Sequence, residues 1–289
     1  MDLSDVTAVG RPVDPRYPTN LAIAIVTALV AVAGAAWQWL EGAAFLDGAR
    51  WGIGAGLAVF LAWALARELD PDHDLSAFVG AVLTLVALPF LGLSQLLPLF
   101  WIILAMRIVN RTVGLPARPL DSLAIIGLGL WLTWQAGWIY GLATAAALFL
   151  DGWLTPSLRR HLSLSGAVLV ATIVLALLGE AAPGGGWSSG WLRFVVYLAG
   201  LMFLIATETL GNPEALCDVT GEPVRPARVR GARLLALITA LMVSGRSGQE
   251  GLVALLPLWA AMLGVALYDL VSHLARAWQG SDTSQRAPS

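Results

Sequence analysis

Long apolar runs separated by short polar gaps recur along this chain from Leu21 to Val271. Each approaches the roughly 17 to 25 residues with which a helix crosses the hydrocarbon of a bilayer. None shows the strict apolar–polar alternation of barrel strands. The pattern predicts an all-α, polytopic integral membrane protein with about ten transmembrane helices in helical hairpins. In the first half the expected cores are Leu21–Leu40, Trp51–Ala66, Leu75–Leu93, Gln95–Val109 and Ser122–Ala136. In the second half they are Trp138–Leu154, Leu162–Leu178, Trp191–Ala206, Val229–Gly245 and Leu252–Val271. The ninth crosses only if Arg230 and Arg233 snorkel from its first turn, so the count lies between eight and ten.

The polar positions orient these spans. All seventeen basic residues are arginine, and they fall in alternate gaps. One class of gap, together with the two termini, holds Arg11, Arg16, Arg67, Arg107, Arg111, Arg118, Arg159, Arg160, Arg225, Arg228, Arg230, Arg233, Arg276 and Arg286. The other holds only Arg50, Arg193 and Arg246. Basic residues are retained on the cytoplasmic side, so both termini are expected there. Trp37, Trp39, Trp51, Trp131, Trp134, Trp138, Trp187 and Trp191 flank the arginine-poor gaps, as indoles do at a membrane interface. Those outer gaps are short, and Gly184-Gly185-Gly186 in one of them lacks the lysine of a phosphate loop.

The expected organisation is a polar cytoplasmic segment over 1–18, one helical membrane domain over 19–278, and a disordered cytoplasmic tail over 279–289. A long cytoplasmic loop over about 207–228 is broken by Pro213, Pro223 and Pro226. Similar turns after helices two, four and six recur about 40 to 44 residues apart, as stacked hairpins would. Composition agrees with a bilayer as solvent: 58% of residues are hydrophobic and 12% charged, against about 25% charged in soluble domains. A net charge of -2 and the lack of a basic tract argue against nucleic acid as a partner. The partners expected are the lipid bilayer and other membrane subunits, in a prokaryotic plasma membrane or inner membrane. A single cysteine, Cys217, excludes an internal disulfide.

Candidate chemistry concentrates at the arginine-rich ends. Glu68, Asp70, Asp72 and Asp74 place four carboxylates within seven residues, a supply of hard oxygen ligands for Mg²⁺ beside substrate phosphates. Arg67, Arg107, Asn110, Arg111 and Asp121 are candidates for gripping and orienting a phosphate; Arg107 and Arg111 share one face if their helix continues. Asp151, Arg159, Arg160 and His161 could complete that surface. The same residues also read as topology anchors and helix caps, Asp74, Ser76, Asp121, Ser122, Ser163 and Ser165 among them. His73, His161 and His273 are scattered singly, and the deep polar groups of the spans are mainly threonines.

The first functional expectation is a protein that binds or processes a phosphate-bearing amphiphile at a cytoplasmic-face site of carboxylates and arginines. A non-catalytic membrane scaffold or subunit of a larger complex is the alternative. A transporter of an apolar or zwitterionic solute is the third. No catalytic nucleophile is singled out.

Overall fold

The computed structural model describes residues 7–10, 13–179 and 184–285. Arg11 and Arg286, counted above on the arginine-rich side, lie outside them. The described residues form ten helices and no strand. They are α1 (Pro18–Leu40), α2 (Phe45–Leu69), α3 (Asp74–Leu91), α4 (Leu96–Asn110) and α5 (Pro119–Ala136), followed by α6 (Ile139–Trp153), α7 (Arg160–Leu178), α8 (Gly190–Thr209), α9 (Pro226–Ala254) and α10 (Leu256–Gln285). Six of them, α1, α2, α3, α7, α8 and α10, contain stretches long and apolar enough to cross a membrane, the signature of an integral membrane protein.

The helices sort into two interlocked groups. In the first, α2 packs against α1 and α3, while α10 packs against α2, α3 and α8. In the second, α6 packs against α4, α5 and α7. The last two helices follow the long proline-broken connection, yet they are no appendage: α9 inserts against α4 and α6, and α10 joins the first group. One domain results.

Close approach depends on small residues, since apolar burial gives helices in lipid little reason to associate and packing must do so. A methyl group on Gly52 would sit 2.2 Å from the Ala31 carbonyl of α1, and one on Gly264 2.6 Å from the Gly80 amide of α3. The deep threonines spend their donors within their own helices. Thr84, Thr133, Thr144, Thr172 and Thr239 each donate to the carbonyl four residues earlier in their own helix. Outward faces carry Ile25, Leu29 and Val32 on α1 and Val170, Ile173 and Leu177 on α7, all exposed and apolar.

Two boundaries depart from the sequence expectation. The ninth helix does not stop at Gly245: it runs to Ala254 through a break at Gly248, whose φ of 59° and ψ of -133° leave the helical region. α10 continues to Gln285, past the start of the expected disordered tail. An established helix gains one hydrogen bond per added residue, and Ala275, Arg276 and Gln279 favour its extension.

Candidate functional site at the arginine-rich end

At this end α2, α4 and α6 finish, and the last carbonyls of a helix have no intrahelical donor. Arginines from elsewhere in the chain supply the donors. Arg228, in the first turn of α9, gives Nη1 to the Val109 carbonyl of α4 at 2.8 Å and Nη2 to the carbonyls of Leu154 at 2.7 Å and Pro156 at 2.6 Å. Arg233, one turn and a half further on, gives Nε to the Leu69 carbonyl of α2 at 2.7 Å. Both guanidinium groups are buried, and Arg233 is an inward pin where the sequence suggested snorkelling. Arg230 alone turns outward, to Glu208.

Asp151 is the hub of this plate. It is fully buried, and its Oδ1 accepts from Arg111 Nε at 2.7 Å and from Arg228 Nη1 at 2.9 Å. Its Oδ2 lies 2.8 Å from His161 Nδ1, an ion-pair approach off the line of a straight hydrogen bond. His161 Nε2 in turn lies 2.8 Å from Ser122 Oγ. Two cations on one carboxylate are tolerable here because the carbonyls facing Arg228 are the negative ends of α4 and α6. Ser122 and His161 are buried with the rest.

Arg111 reaches Asp151 because the helix does not continue through it. It closes α4 with φ 51° and ψ 43°, the left-handed conformation usual for glycine at that position. The expected shared face of Arg107 and Arg111 is therefore lost, and they diverge. Arg107 Nε donates to Glu68 Oε1 at 2.9 Å, and its Nη1 donates to the Val9 carbonyl. Glu68 also accepts from Thr112 at 3.1 Å, while Asn110 Nδ2 donates to the Glu68 carbonyl at 2.8 Å. Asp121 accepts from the amides of Ala8 and Arg118 and from the Thr7 hydroxyl, so it both caps α5 and ties down the N-terminal segment. Among the other expected caps, Ser165 turns inward to the Ala145 carbonyl.

The four acidic candidates are not brought to one place. Glu68 faces Arg107, Asp70 pairs with His73 Nδ1 at 3.0 Å, and Asp74 pairs with Arg67. Asp72 accepts from the amides of Glu214 at 3.0 Å and Ala215 at 2.8 Å, pinning the long connection. Among the described residues no three His, Cys, Asp or Glu side chains are grouped as a metal ion requires. Arg67, Arg107, Asn110, Arg111 and Asp121 likewise have protein partners.

An open recess of about 820 Å³ lies beside the plate, between the Pro71–His73 turn, the end of α8 with residues 209–215, and α10. Asp72, His73, Asn212, Asp269, His273 and Arg276 line it with Tyr268. Asp269 accepts from Thr209 at 2.7 Å and lies 3.3 Å from His273 Nε2; the His73 ring sits 5.1 Å from that of Tyr268. On the face of α10 turned away from the recess, Leu270, Val271 and Leu274 are exposed. The wall over 210–225 is anchored by Asp218 and Val219, whose amides donate to the carbonyls of Thr112 and Val113, and by the pair Leu216 and Pro223. Cys217 is buried beneath it, and burial pushes its thiol above the ordinary range.

Sequence reasoning placed the site among the carboxylates of the first turn and passed over His73, His273 and Arg276. A local signal existed: Asp70 and His73 are three apart and Asp269 and His273 four apart, spacings that let side chains meet. Comparison with protein-family models, with curated proteins and with solved structures gives no match.

Proposed function

We propose that this protein crosses a prokaryotic plasma membrane ten times, with the arginine-rich end cytoplasmic, and binds the phosphate-bearing head of an amphiphile in the recess beside α10. The carrying observation is the grouping at that recess of basic, acidic and amide side chains with the apolar Pro71, Leu210 and Ala215. Arg276, His273 and Asn212 offer donors to a phosphate; Asp72 on the facing turn and Asp269 of α10 itself suit an amine, so a zwitterionic head matches both.

Ten crossings include α4 and α6, which at 15 residues rise only about 22 Å. Their enclosure by other helices makes this workable, since ends that fall short of the interface meet protein groups instead of lipid. Binding is the activity supported, and no residue of the recess is assigned a chemical step.

The test is native mass spectrometry of the purified protein with phosphatidylethanolamine and with diacylglycerol of the same chains. Phosphatidylethanolamine should be retained about tenfold more, and the double variant Arg276→Ala, His273→Ala should erase the difference, each charged contact contributing on the order of 1 kcal/mol. Equal retention of both lipids by the unaltered protein would refute the proposal.

A second reading, a scaffold or subunit, is favoured by the internal pairing of Glu68, Asp70, Asp74, Asp121 and Asp151, which makes the plate a closed structural element. It predicts a stoichiometric membrane partner that stays bound through purification.

A further inference from the structure

The break in α9 faces a second cavity, at the tryptophan-rich end. Gly248 is buried and left-handed, and a methyl group there would lie 2.2 Å from the Gly186 carbonyl. The triglycine segment fills the gap: Gly185 donates to the Arg246 carbonyl at 3.1 Å, and Gln249 donates to that of Gly186 at 3.0 Å. The opened backbone is thereby satisfied, and Ser247 and Glu250 on either side of the break are fixed toward a cavity of about 680 Å³.

The walls of this cavity have one charge sign. Across from Glu250 stand Gln95 at the start of α4, Trp131 and Gln135 in the last turns of α5, and Tyr140 of α6. Glu250 is the one carboxylate among the described lining residues, and none of them is basic. Trp131 is 55% exposed, which leaves its ring accessible. Tyr140 is held from behind by an edge contact to Trp101 at 5.3 Å, and Trp101 is anchored through Nε1 to Thr144 at 3.1 Å.

We infer that this cavity binds a small organic ammonium group from the outer side. The exposed Trp131 indole attracts a cation through its quadrupole, and Glu250, the one carboxylate among the described lining residues, supplies the counter-charge. The amides of Gln95 and Gln135 serve hydrogen-bonding substituents of the ligand. A neutral solute of the same shape would offer Glu250 no charge and gain nothing from the quadrupole of the indole face. The site is independent of the recess at the other end, whose residues it does not share.

The experiment is equilibrium dialysis of the full-length protein in nanodiscs with radiolabelled choline, competed by 3,3-dimethylbutan-1-ol, its uncharged isostere. Saturable binding is expected, with the isostere at least about tenfold weaker as a competitor. Glu250→Gln should weaken choline about fivefold to tenfold and Trp131→Leu by a similar factor, with size-exclusion profile and melting temperature unchanged. Because Glu250 is exposed, its amide variant keeps the test valid if the tryptophan variant misfolds. An absence of saturable choline binding, an isostere that competes equally, or full binding by folded Glu250→Gln would each overturn the inference. The last two outcomes would identify the cavity as an apolar cleft for lipid or detergent.

Discussion

Arg228 Nη1 donates to Asp151 Oδ1 at 2.9 Å, joining residues 77 apart in the chain and locking the start of α9 to the end of α6. Asp151 holds Arg111 through the same oxygen and His161 through the other. Asp151→Asn keeps the shape and removes the charge, leaving two buried guanidinium groups without their counter-ion. Loss of one member of a buried ion pair costs about 3 to 5 kcal/mol. The variant should lose much of its folded yield and melt well below the parent when followed by thermal unfolding in detergent.

Gly248→Ala should be severely destabilising. It places a side chain in a left-handed position and drives its methyl group into the Gly186 carbonyl, a backbone atom that cannot rotate away. We expect a loss of at least about 2 kcal/mol in thermal or SDS unfolding. Gly127→Ala, with open space around the same methyl group, should be neutral or slightly stabilising.

Removing the Asp72 carboxylate should release the connection over 210–225. Asp72→Ala leaves the amides of Glu214 and Ala215 without their acceptor, while the anchors at Asp218 and Val219 remain. Cleavage after Glu214 by a glutamate-specific protease should accelerate several-fold, with the melting temperature changed by only a few degrees.

Cys217 should react slowly with maleimide in the folded protein. Burial raises its thiol pKa, so at a given pH the folded protein holds less thiolate than the unfolded chain. The labelling rate should keep rising with pH beyond the point where the SDS-unfolded chain levels off. One label per chain is expected after unfolding. Superimposable pH profiles for the two states would contradict the burial of this thiol.

The helices were legible because lipid and helix geometry impose a coarse, local pattern: each apolar core read from the chain falls on one helix, apart from the junction of α9 and α10. The arginines were legible only as charges. Arg228 and Arg233 occupy the first turns of a helix, where outward snorkelling and inward pinning look alike until the carbonyls of Val109, Leu154 and Leu69 are seen beneath them. Arg107 and Arg111 misled for a local reason, since nothing in their spacing reveals that Arg111 turns left-handed and ends the helix. The recess was invisible because its walls come from three distant stretches, Thr209 lying 60 residues from Asp269 and Asp72 142 from Glu214, brought together by the docking of α10 against α3 and α8. His161, one of three scattered histidines in the sequence, becomes part of a buried polar cluster only once α5, α6 and α7 converge.

Sidedness is the claim on which the head-binding proposal stands. In a Cys217→Ser background, single cysteines at Glu214 and at Ser188 place one exposed thiol at each end of the protein. A membrane-impermeant maleimide applied to intact cells should label Ser188→Cys and leave Glu214→Cys unmodified until the membrane is opened. Labelling of Glu214→Cys in intact cells, with Ser188→Cys protected, would put the arginine-rich end outside and contradict the account.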